Sequence, residues 1–123
     1  MAFTFTIPGR VQPKQRPRHT RGGRTYTPAE TSTYEQHVRA AYRQAVGPFL
    51  GDDKAGVPLR ADIEIFEDLA VVTLTELDGP RSTVAGDCDN LAKGILDALN
   101  KVAYHDDRAV TELLVVRHLK SAQ

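Results

Sequence analysis

Residues 86–110 read GDCDNLAKGILDALNKVAYHDDRAV, and this stretch decides how the rest of the chain is read. Leu91, Ile95, Leu99 and Val102 recur at the spacing of one helical face, which predicts an amphipathic helix from Asn90 to about Lys101. Gly94 weakens that pattern by about 1 kcal/mol without abolishing it. Asp87 and Asp89 form a D-x-D pair where a loop enters the helix, with Asp89 expected as its N-cap. Lys93 lies four residues beyond Asp89, and Asp97 one turn further on, so they share the side opposite the apolar stripe. His105, Asp106 and Asp107 then form a tight turn. Thr111 to Leu119 is rich in β-formers and predicts a final strand.

Working outward, Phe3, Phe5 and Ile7 alternate with Thr4 and Thr6 and predict a strand from Ala2 to Ile7, ended by Pro8 and Gly9. Residues 10–28 carry Pro13, Pro17, Gly22, Gly23 and Pro28, too broken for a regular element, and are expected to form a long extended loop. Thr27 and Pro28 offer an N-cap followed by a first-turn proline, with Glu30 completing a capping box, so a helix should run to about Val46. Gly47 and Pro48 stop it. Leu59 to Phe66 predicts a strand with Ala61, Ile63 and Ile65 on one face, and Ala70 to Leu77 predicts the next. The order strand, helix, two strands, helix, strand describes an α+β fold. One domain covering residues 1–123 is expected, a mixed β-sheet with two helices packed on one face.

Composition fits that reading. With 123 residues, 41% hydrophobic and 26% charged, the chain can bury an ordinary core without disulfide or metal staples. The longest apolar runs, Leu69 to Val72 and Leu113 to Val116, are four residues, too short to span a bilayer. The opening MAFTFTIPGR lacks the charged-then-apolar order of a signal peptide, so a cytoplasmic protein is expected. Cys88 has no disulfide partner in the chain, and the four His never reach zinc-ligand spacing with it. Cys88 reads as a packing residue. No exposed apolar stripe is evident, which leaves little support for a purely structural or partner-binding role.

The net charge of zero hides a segregation. Residues 1–29 contain no Asp or Glu but carry Arg10, Lys14, Arg16, Arg18, Arg21 and Arg24, so an arm of +6 precedes a body of −6. An acidic body repels nucleic acid, whereas guanidinium forks match phosphates. Each feature also has a plain structural reading. Asp89 is a helix cap, Asp106-Asp107 a turn pair, Lys93 a solvated residue pairing with Asp89 and Asp97, His105 a turn residue and the arm a solubility tail. Their joint occurrence meets the separate needs of phosphodiester hydrolysis. The arm holds the backbone, carboxylates suit a hard cation such as Mg2+, and Lys93 offsets charge on the transition state.

The stretch 86–110 resembles the core signature of the RusA-type Holliday junction resolvases, small bacterial and prophage endodeoxyribonucleases, through D-x-D-N-x-x-K, D-A-L-N and the D-D before the last strand. IPGRVQPKQRPRH and YTPAETSTYEQHVR resemble the beginning of phage-type members. The resemblance implies a Mg2+-dependent homodimer, with Mn2+ as substitute, that nicks opposing strands of a four-way junction in recombination and repair. Position by position it implies Asp87, Asp89 and Asp107 as metal carboxylates, Asp106 as the alternative to Asp107, and Lys93 as the catalytic lysine. Lys14, Arg16, Arg18, Arg21, Arg24 and Arg81 are the expected DNA contacts. Family members place several basic residues just before the first Asp, where this chain has Arg81. Alternatives are a non-catalytic DNA-binding module and a metal-dependent nuclease acting on other branched DNA or on RNA.

Overall fold

The computed structural model describes residues 1–14, 18–19, 22–23, 25–26, 28–48, 58–80 and 82–118. The chain divides into two compact units, Met1–Asp78 and Gly79–Gln123. The fold is α+β. The first unit contains strand β1 (Ala2–Pro8), short strands β2 (Arg18–His19) and β3 (Thr25–Tyr26), helix α1 (Ala29–Ala45), and strands β4 (Leu59–Ile65) and β5 (Leu69–Glu76). The second contains helix α2 (Cys88–Leu99) and a 3-10 turn at Asp107–Ala109.

β5 is the centre of a three-stranded sheet, with β1 and β4 antiparallel on either side. Register follows from the alternation. Phe5 lies opposite Val72 and Val72 opposite Ile63, while Ile7, Ala70 and Ile65 form the next row. All six side chains therefore share one face. α1 covers part of that face with Tyr34, Val38, Ala41, Tyr42 and Val46 around the buried Phe5, Ile7, Ala70 and Val72. Tyr42 meets Phe5 edge-to-face at 5.3 Å and 81°, a favoured aromatic geometry. The cover stops short of β4, where Ile63 and Ile65 are 61% and 66% exposed.

Local signals behave as their chemistry predicts at most boundaries. α1 is stopped just before Gly47, whose φ of 92° suits glycine and whose N–H returns to the Tyr42 carbonyl at 3.1 Å. Its start differs from expectation by one residue. Pro28 is the N-cap, its carbonyl accepting from Ser32 N–H at 3.0 Å, and Thr27 lies outside the described residues. Within the expected loop 10–28, β2 and β3 form a small antiparallel pairing, Arg18 with Tyr26 and His19 with Thr25. Gly23, at φ 82°, supplies the backbone freedom for the reversal.

Other expectations are corrected. Residues 111–118 form no strand, because among the described residues of their own unit no other strand is there to pair with them, and β propensity alone does not build a ladder; Leu119 lies outside the described residues. The larger sheet is consequently antiparallel rather than mixed. In the first unit α1 packs on β1, and in the second α2 packs against the 3-10 turn. Finally, apolar stripes are exposed: besides β4, Ile95 and Val102 of the second unit are 65% and 80% accessible. Among the described residues no helix is long and apolar enough to cross a membrane.

Candidate active site

α2 begins two residues earlier than the apolar spacing suggests. Asp87, with extended backbone angles, is the N-cap, its carbonyl accepting from Leu91 N–H at 2.9 Å, and Asp89 sits inside the first turn. Neither the expected cap at Asp89 nor a side-chain cap at Asp87 is formed. Both carboxylates are exposed and are spared the duty that would explain them structurally. The turn into the helix requires Gly86, which adopts a φ of 101° and would bring a Cβ to 3.2 Å from Leu91. Cys88, between the two aspartates, is exposed rather than packed.

Lys93 is exposed on the same stripe as Asp89 and Asp97. Among the described residues the ion pairs are Lys14–Glu35 at 3.7 Å and Arg60–Asp62 at 3.0 Å. Lys93 is therefore not engaged in the helix salt bridges that its spacing permits, and its ammonium is available.

Beyond α2 the chain turns through Lys101, which takes a φ of 67° and donates its N–H to the Tyr104 carbonyl at 2.7 Å. The half-buried Tyr104 hydroxyl donates to the Leu96 carbonyl at 2.8 Å, tying the turn back to the helix. That tie brings Tyr104 and Asp97 into electrostatic range of Asp107. Desolvation, then the charges of Asp107 and Asp97, push the Tyr104 phenol up from its ordinary range.

Asp106 caps the 3-10 turn, its Oδ1 accepting from Arg108 N–H at 2.9 Å. That backbone bond, followed by the bond with Asp107, holds the Asp106 carboxyl below the usual range. Asp107 moves the other way: its hydrogen bond with Asp106 raises it, helped by desolvation and by the charges of Asp106 and Asp97, against the pull of Arg108. The two aspartates are thus unequal. Asp106 has a structural duty, whereas Asp107 is half-buried and burdened by like charge.

The donor chemistry of these groups fits a hard divalent cation, being oxygen throughout, with Asp87 and Asp89 outside any ion pair among the described residues and Asp107 repelled by its neighbours. Asp107 is hydrogen-bonded to Asp106 and feels the charge of Asp97, while Asp87 and Asp89 stand at the helix start. Among the described residues no three acidic, His or Cys side chains gather into one metal-binding group.

Of the expected DNA contacts, Lys14 is exposed and reaches Glu35 of α1. Arg18 belongs to β2, and Arg16, Arg21, Arg24 and Arg81 lie outside the described residues. One cation near the site has no local sequence signal. Arg117, half-buried in the segment after the 3-10 turn, donates a guanidinium N–H to the carbonyl of Gly86, the residue immediately before Asp87.

A model of the endodeoxyribonuclease RusA family matches residues 8–122. The chain belongs to the RusA family. The match spans both compact units and includes every residue placed above from Pro8 onward. RusA membership makes the chain an enzyme, an endodeoxyribonuclease of the crossover-junction class that acts on branched DNA in recombination. No curated protein and no solved structure matches the chain.

Proposed function

We propose that this RusA-family chain is a Mg2+-dependent, structure-selective endonuclease that resolves four-way junctions by paired symmetric nicks. The observation that carries the reading is at the start of α2, where Asp87 and Asp89 are exposed without side-chain capping bonds and, among the described residues, neither they nor Lys93 one turn on forms an ion pair. Structural caps would be bonded. Asp87, Asp89 and Asp107 are the residues that would hold the metal, with Asp106 assigned to capping its own turn. The bound ion would supply a Lewis acid and an activated water.

The remaining work falls to the chain itself. Lys93 presents a point charge to the non-bridging oxygens of the phosphate as negative charge accumulates there. Asp106 holds the turn that carries Asp107, through the Arg108 backbone bond. Lys14, Arg16, Arg18, Arg21 and Arg24 of the arm hold DNA phosphates, and Arg81, shortly before the first Asp, adds a contact near the site. Engagement of five of them gives a slope of about −4.5 in log affinity against log salt. Opposed nicks on a two-fold junction call for two sites related by the same symmetry, so the working form is a homodimer. Such an enzyme works where the DNA is, in the cytoplasm of a bacterium or of a phage-infected cell.

The test compares nicking of matched-sequence four-way junction, flap, linear duplex and RNA, each with Mg2+, with Mn2+ and with chelator. Symmetric nicks confined to the junction and dependent on either metal are expected. Equal cleavage of flap or RNA would replace junction resolution with a broader nuclease activity, and binding without cleavage under every condition would make the chain a DNA-binding module.

A further inference from the structure

We propose that Arg117 is a phosphate-binding residue of the active site, contacting the DNA backbone beside the scissile bond. This rests on the nuclease reading above, because it assigns a contact within that same site. The geometry comes from a long-range bond: a guanidinium N–H of Arg117 donates to the carbonyl of Gly86, thirty-one residues earlier and directly before Asp87. The bond fixes the guanidinium at the mouth of the D-x-D turn.

It does not exhaust it. Arginine carries five N–H donors in a planar fork, and one carbonyl occupies one of them. Among the described residues Arg117 has no carboxylate within ion-pair distance, although the site beside it is acidic. A cation held by a neutral carbonyl keeps its full charge for an anion, whereas one neutralised by Asp87 would not. The carbonyl also orients the fork, which lowers the entropy lost when a phosphate is gripped. Lys93 is exposed one turn beyond Asp89 on α2, so the stretch Gly86–Lys93 carries two cations of different kinds that form no ion pair among the described residues. A phosphodiester at the D-x-D turn would be offered a fork by Arg117, beside the point charge that Lys93 supplies.

The test uses the full chain and a fluorescent four-way junction, with anisotropy titrations over a range of KCl in the absence of divalent metal, where no cutting occurs. Arg117→Gln is expected to flatten the salt dependence by about 0.9 in slope, the loss of one phosphate contact. Arg117→Lys is expected to keep the slope while slowing nicking in Mg2+ by about 10-fold, because the charge survives and the fork does not. A junction with a neutral methylphosphonate at the contacted position should show no slope difference between wild type and Arg117→Gln. A wild-type slope in Arg117→Gln overturns the assignment and leaves Arg117 as a strut for the Gly86 turn. If Arg117→Gln fails to melt cooperatively, Arg117→Lys decides: unaltered nicking overturns the assignment. Failure of the nuclease reading looks different, since wild type would then leave the junction uncut or Asp89→Asn would cut it as well as wild type does.

Discussion

In the unit Met1–Asp78, Phe5, Ile7, Ala70 and Val72 are buried beneath α1, whereas in Gly79–Gln123 Ala92 is the one buried residue among those described. The first unit has paired strands, an edge-to-face aromatic contact and a glycine-capped helix. The second has exposed carboxylates, cations outside any ion pair among the described residues, an aspartate pair at odds with itself and a lysine at positive φ. Local rules of stability are obeyed in the first unit and broken in the second, which is the contrast that the proposed site predicts.

Substitutions that separate stability from activity test this contrast. The largest effect is expected at Lys93: Lys93→Met should slow junction nicking by about 10^2- to 10^3-fold in a single-turnover assay. Its thermal melt should stay within about 0.5 kcal/mol of wild type, since the side chain is exposed and unpaired. In the first unit the order reverses. Phe5→Ala empties the centre of the core and should cost about 3 to 5 kcal/mol in urea denaturation, with activity lost only as the protein unfolds.

Asp107→Asn should raise the melting temperature at neutral pH while abolishing nicking, because Asp107 ionises against Asp106 and Asp97. The sign follows from linkage. A carboxyl held above its unfolded value binds protons better in the folded state, so its contribution to stability falls as pH rises through the raised value. Asp106, held below the ordinary range, contributes oppositely: its stabilisation is present above the usual carboxylate range and is lost as pH falls through the lowered value. Asp106→Asn should therefore bring the Asp107 carboxyl down, measurable by carbon NMR titration of metal-free protein, and an unmoved Asp107 would remove the coupling. The smallest effect is expected at Lys101, where a φ of 67° suits glycine better. Lys101→Gly should stabilise by about 0.5 to 1 kcal/mol in the same melts.

Much of the first unit was legible in the sequence because its signals are local. The Phe3-Phe5-Ile7 alternation, the Gly47-Pro48 stop and the two strands after Leu59 are read within a few residues, and the structure moves their boundaries by one residue or so. The small β2–β3 pairing was missed because prolines and charges on either side mask a reversal that rests on Gly23. In the second unit the helix was legible but its start was not. An apolar stripe beginning at Leu91 says nothing of the preceding turn, so Asp89 looked like the cap that Asp87 is. The strand expected from Thr111 failed over residues 111–118 for a deeper reason, since propensity describes a segment and a strand needs a partner. The link from Arg117 to Gly86 had no periodicity or motif to announce it.

The central claim is that the carboxylates at the start of α2 do chemistry rather than hold the fold. The most direct measurement is Asp89→Asn on a synthetic four-way junction, scoring binding and nicking together in Mg2+. The account predicts binding at least as tight as wild type, an unchanged melt and no nicks above background. Symmetric nicking at the wild-type rate by Asp89→Asn would contradict it and return Asp89 to the role of an ordinary first-turn helix residue.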